Sequence, residues 1–141
     1  MIKRQIVLED GPESVGPYSV AMQVGPAVFI SGQLPLDESF NLVSEDIAVQ
    51  TRKTIENIEK ILKEVDMTLD DVVKTTVYVQ DLDDFKKINQ IYAIYFSHPY
   101  PVRSCVEVSK LPQNAKVKIE CVAIEAKLDE VEDCAGCCCD D

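Results

Sequence analysis

The sequence predicts an α+β sandwich in which a mixed six-stranded sheet carries two helices on one face. Three observations lead there. Two stretches carry apolar residues at helical spacing, at residues 44–65 and 85–95. Around them lie short segments rich in β-branched residues and bounded by Gly, Pro, Asn and Asp. The order that results is three strands, helix, strand, helix, two strands, which lets both helices cover the same side of one sheet.

At the N-terminus, Asp10-Gly11-Pro12 and Gly16-Pro17 punctuate apolar runs too short for helices. Ile6 to Leu8, Ser19 to Val24 and Ala27 to Ser31 read as strands, the last two joined through Gly25-Pro26 as a hairpin. From Ser44 to Val65, Ile47, Thr51, Ile55, Ile58, Ile61, Leu62 and Val65 form one helical face. Ser44 is the expected N-cap, with Glu45 and Asp46 in the first turn and Lys60 and Lys63 near the last, each matching the helix dipole. Val72 to Val79 is apolar on both parities, as in a strand covered on both faces. A second helix follows, capped by Asp81 or Asp83, with Phe85, Ile88, Tyr92 and Tyr95 as its buried stripe and Pro99 and Pro101 beyond its end. Arg103 to Val108 and Lys116 to Ala126 are the last two strands. In the final one Val117, Ile119, Cys121 and Ala123 point one way, and Glu120, Val122 and Ile124 the other. With only two helices available, the second sheet face needs another subunit, so a homo-oligomer is expected.

The 141 residues, 46% hydrophobic and 28% charged, suit one domain with a modest core. A formal charge of -11 argues against a nucleic-acid partner, because a phosphate backbone is gripped by clustered Lys and Arg. Residues 127–141 hold -5 of that charge and form an acidic, cysteine-rich tail separate from the domain at 1–126. No apolar run approaches the roughly 18 residues of a membrane helix, and Met1-Ile2-Lys3-Arg4 lacks the apolar core of a signal peptide, so a cytoplasmic protein is expected. Cys134, Cys137, Cys138 and Cys139 crowd into six residues, whereas a zinc knuckle needs two separated pairs. The tail is therefore expected to lack a fixed fold rather than to hold a metal.

Few residues have the character of reacting groups. Arg103 opens a strand whose core parity is read as Ser104, Val106 and Val108, which sends its guanidinium to the opposite face with Cys105 and Glu107. An arginine on a covered sheet face needs an anion. Two readings are open: a carboxylate of the protein, or a substrate carboxylate held by the bidentate fork that only Arg supplies. Glu120, read as lying on the neighbouring segment, is either the ion-pair partner of Arg103 or a general acid/base. His98, the only histidine, stands in the loop Ser97-His98-Pro99 and offers neither a metal site nor a triad. Ser31 precedes Gly32-Gln33 but lacks the preceding glycine and following helix of a nucleophile elbow.

Several blocks together resemble one family. Gly16-Pro17-Tyr18-Ser19, Ser31-Gly32-Gln33-Leu34-Pro35, the stretch Val73 to Val79, Asp81-Leu82-Asp83-Asp84-Phe85 and Pro101 to Val108 are similar to the conserved blocks of the reactive intermediate deaminases, the RidA family, as are Leu111-Pro112 and Lys118-Ile119-Glu120. The resemblance covers nearly all of residues 1–126. It implies a chorismate-mutase-like fold assembled as a homotrimer with sites between subunits. It also implies hydrolysis of 2-aminoacrylate-type enamines, or their 2-iminopropanoate and 2-iminobutanoate tautomers, to a 2-oxo acid and ammonia. By the same resemblance Arg103 binds the substrate carboxylate and Glu120 activates water, while Tyr18, Ser31, Gly32, Asn89 and Cys105 line the pocket. An iminium carbon is already electrophilic, so no metal or other cofactor is expected. The competing reading is a trimer that binds small 2-oxo acids without turnover. Asp66 departs from the family pattern by standing where a Gly commonly ends the first helix, a position Asp tolerates better than most residues.

Overall fold

Turn chemistry and alternation set the first half of the sheet. The structure, a computed structural model, describes residues 1–9 and 16–125. Strands β2 (Ala21–Val24) and β3 (Ala27–Gln33) form the expected antiparallel hairpin. Gly25 turns it at φ +56, where a side chain would be strained. Strand β1 (Lys3–Ile6) pairs along β2 with Ile6 opposite Ala21. It starts three residues before the expected Ile6–Leu8 and ends at Ile6. Only Ile6 of this edge strand is buried, so main-chain pairing rather than an apolar pattern sets its place.

Helix α1 (Ile47–Lys63) buries Ile47, Thr51, Ile55, Ile58, Ile61 and Leu62, the stripe read from the sequence. Its N-cap is Asp46, whose side chain accepts from the Val49 N–H at 3.4 Å, and not Ser44, whose hydroxyl accepts from Asp46 N–H at 3.0 Å. Glu45 and Asp46 thus precede the first turn instead of filling it. At the other end Asp66 adopts φ +56, and the N–H groups of Met67 and Asp66 close on the carbonyls of Leu62 and Lys63 at 3.0 and 3.2 Å. This is a Schellman closure with Asp in the glycine position. Asp66→Gly is expected to stabilise the protein by about 0.5–1 kcal/mol, read as a higher urea midpoint at unchanged slope.

Strand β4 (Val72–Val79), helix α2 (Phe85–Tyr95) and strand β5 (Val102–Glu107) form a parallel crossover unit. Asp81 caps a single 3₁₀ turn at Leu82–Asp84, and α2 starts behind it at Asp84 without a side-chain cap. Ile88, Ile91 and Tyr92 are buried, while Phe85 and Tyr95 are half-buried. Strand β6 (Val117–Ile124), last in the chain, inserts antiparallel between β3 and β4, giving the order β1-β2-β3-β6-β4-β5.

Both helices pack on one face of this mixed sheet. The core joins Ile55, Ile58, Ile61 and Leu62 of α1 and Ile88 of α2 to Val28, Val77, Val79, Val117 and Ile119 of the sheet. On the opposite face lie Thr76, Tyr78, Glu120 and Val122, all half-buried, with Phe29 49% and Val106 45% exposed. Strand β4 is therefore covered by the helices on one side only within a single chain, not on both as its apolar parities suggest. Among the described residues no helix is long and apolar enough to cross a membrane. Ala126 and the acidic cysteine-rich tail at 127–141 lie outside the described residues.

Candidate active site

Arg103 is placed by its pairing partner. It stands opposite Thr75 of β4, and Thr75 is fully buried on the helix side, where its hydroxyl meets the Tyr92 hydroxyl at 2.8 Å. Arg103 therefore projects to the helix side as well, at the edge of the sheet. Its guanidinium carbon lies 4.8 Å from the Tyr92 ring centroid and 5.2 Å from that of Phe85. One terminal nitrogen donates to Asn89 Oδ1 at 2.8 Å. Phe85, Asn89 and Tyr92 are spaced i, i+4, i+7 on α2, so one helix face supplies two aromatic supports and the orienting amide.

The parity read for β5 is corrected by this geometry. Cys105 packs against the core, whereas Ser104 and Val106 are exposed on the open face. Val106 and Val108 suggested a core parity, but β5 takes its register from β4, and that register turns Ser104 and Val106 away from the helices. Burial pushes the Cys105 thiol up, opposed in part by Arg103, so it stays protonated near neutral pH. It packs against the core as a small apolar group.

Glu120 is not next to Arg103 in one chain. Strand β4 runs between their strands, and Glu120 pairs with Thr76, on the open face, two strands away from Arg103 on the helix side. The intrachain Arg103–Glu120 ion pair is thereby ruled out. The one ion pair among the described residues joins Lys60 to Glu38 at 3.4 Å, so Arg103 has no carboxylate partner there. Glu120 Oε1 accepts instead from the Tyr78 hydroxyl at 2.7 Å. That bond, then burial, pushes the Tyr78 phenol up, which keeps its proton in place as donor.

Ser31 and Gly32 stand where β3 shifts register against β6, between Ile30 and Gln33. Such a bulge frees backbone groups and re-aims side chains. The stem of Lys118 lies against Gly32, so a Cβ there would require that side chain to shift. Ser31 borders two hollows: one shared with Phe29, Thr76 and Glu120, the other with Tyr18, Gly32, Leu34 and Phe40. Arg103 lines a separate shallow hollow with Asn89, Tyr92 and Tyr100. The residues singled out from sequence thus fall into separate groups: Arg103, Asn89 and Cys105 at the helix-side edge, Ser31 and Glu120 at the open face, and Tyr18 with Gly32 in a hollow that α1 also lines through Lys53, Glu56, Asn57 and Lys60. The sequence reading missed Tyr78 as a partner of Glu120, although Thr76 and Tyr78 share a parity opposite the buried Thr75 and Val77. It took Phe85 and Tyr92 for core alone.

The family model described as Endoribonuclease L-PSP matches residues 8–125. A RutC family protein of Pyrococcus abyssi is 46% identical over 124 residues, covering 87% of this chain and 98% of that protein. A 2-iminobutanoate/2-iminopropanoate deaminase of Salmonella typhimurium is 38% identical over 126 residues, with the same coverage. Among solved structures, the Rid-family protein YyfA of Yersinia pestis superimposes with a TM-score of 0.83 at 38% identity, covering 87% of this chain and 99% of that one. The sheet order, the two helices on one face and these neighbours agree with a chorismate-mutase-like fold.

Proposed function

Because the chain belongs to the RidA family, we propose that it is a cytoplasmic 2-iminobutanoate/2-iminopropanoate deaminase, working as a homotrimer with its sites between subunits. The observation that carries the reading is Arg103, oriented by Asn89 and two rings yet without a carboxylate of its own among the described residues. A guanidinium held this way is prepared for a planar carboxylate from outside. The separation of Arg103 from Glu120 supports assembly: the two groups act on one small molecule only if different copies supply them. The exposed Phe29 and Val106 on the open face favour cover by another copy too.

In this reading Arg103 binds the carboxylate of the imine. Water attacks the imine carbon, the C–O bond forms, and the C=N π pair moves to nitrogen. Glu120 takes a proton from that water and returns one to nitrogen. The remaining hydroxyl proton passes through the same carboxylate to nitrogen, and the C–N bond breaks as the oxygen pair closes to a carbonyl, releasing ammonia and a 2-oxo acid. Orientation and proton transfer suffice for so reactive a substrate. With a charge of -11, the chain is ill suited to bind RNA, so the imine is preferred to a polyanionic substrate.

The test is a coupled assay in which a dehydratase generates 2-aminoacrylate in place and release of 2-oxo acid is followed. Added protein is expected to raise that rate severalfold above the spontaneous one. Binding of 2-oxo acids with no gain in rate would favour a non-catalytic binder instead.

A further inference from the structure

We propose that Tyr78 is a positioning residue for Glu120, holding one carboxylate oxygen so that the other meets the attacking water. The assignment rests on the deaminase reading above. Among the described residues, three tyrosine hydroxyls have side-chain partners. Tyr92 bonds to Thr75 inside the core, and Tyr95 donates to Glu56 at 2.9 Å, joining α2 to α1. Both tie packed elements together, which accounts for them. Tyr78 has no such task, since it lies on the sheet face that no helix covers and its ring is absent from the core. A phenylalanine would occupy that surface equally well, so the hydroxyl is the feature to be explained, and its partner is Glu120.

The register makes the contact specific. Tyr78 pairs with Lys118 and Thr76 with Glu120, so Tyr78 and Glu120 are diagonal neighbours on one face, a separation that a tyrosine spans. A free glutamate samples many rotamers, and only some aim an oxygen at a water. With Oε1 held by Tyr78, Oε2 forms no hydrogen bond among the described residues. Tyr78 keeps its own proton throughout; Oε2 takes the water proton as the C–O bond forms and yields it to nitrogen before the C–N bond breaks.

The experiment is a double-mutant cycle of Tyr78→Phe and Glu120→Gln in the coupled assay, with Tyr95→Phe as a control. Tyr78→Phe is expected to lower kcat about tenfold, the scale of one lost hydrogen bond to a charged group, with KM within about twofold because Arg103 still binds the carboxylate. In the Glu120→Gln background the same change is expected to add less than about a twofold loss. Tyr95→Phe loses an equivalent bond elsewhere and is expected to leave kcat unchanged. An unaltered kcat in Tyr78→Phe, or an equal loss with and without Glu120, overturns the assignment. Wild-type protein without any acceleration overturns the deaminase reading itself, and this assignment with it.

Discussion

Arg103→Ala is expected to lower kcat/KM for the imine about a thousandfold, close to the spontaneous rate. Two charge-assisted hydrogen bonds to a carboxylate, at roughly 2 kcal/mol each, account for about 4 kcal/mol of binding that alanine cannot replace. Arg103→Lys restores the charge but not the planar fork, and it is expected to recover only a small part. Stability is expected to change little. Arg103 is exposed, and its contact with Phe85 and Tyr92 is worth about 1 kcal/mol, or a few degrees in Tm. Loss of rate with retained folding and assembly separates substrate binding from a structural role. Equal unfolding by heat and by the mutation would show that Arg103 braces α2 instead. Mixing then tests where the site lies. If Arg103 and Glu120 meet only across subunits, refolding Arg103→Ala with Glu120→Gln in equal amounts regenerates about one quarter of the wild-type sites, by random assembly of a head-to-tail ring. No recovery from two singly inactive chains would contradict a shared site.

The second large effect concerns folding. Gln50, fully buried in α1, donates to the Ser44 carbonyl at 2.8 Å and accepts from the Lys116 N–H at 2.8 Å. It thereby fastens the segment before α1 to the start of β6, the strand that carries Glu120. Gln50→Met keeps the volume while orphaning both backbone groups. Each is half-buried and costs about 1–2 kcal/mol, so a loss of roughly 3 kcal/mol and about 10 °C in Tm is expected, read by calorimetry. A change below 1 kcal/mol would mean that water replaces the amide at both ends.

Gln50 also shows where the sequence stops being informative. Its place on α1 follows from periodicity, but its partners are six and sixty-six residues away. The same boundary runs through the whole molecule. The apolar stripe of α1 from Ile47 to Leu62, the hairpin at Gly25, the left-handed turn at Asp66 and the order of elements were all legible, because each depends on neighbours within a few residues. The family and the residue types of the site were legible as well, in blocks such as Pro101 to Val108.

What tertiary structure decided is which way those residues face. Alternation along β5 offered valines on one parity and a cysteine on the other, and only pairing with β4 chose between them, turning Arg103 toward α2. Likewise nothing local states that the last strand enters the middle of the sheet, where it places β4 between Glu120 and Arg103. Strand pairing is long-range: main-chain hydrogen bonds are alike for every residue, and a shift of one residue moves a side chain to the other face. The sequence by itself determined a two-layer fold and its family. Register and strand order determined that the candidate site comes in two halves, on opposite faces of one sheet.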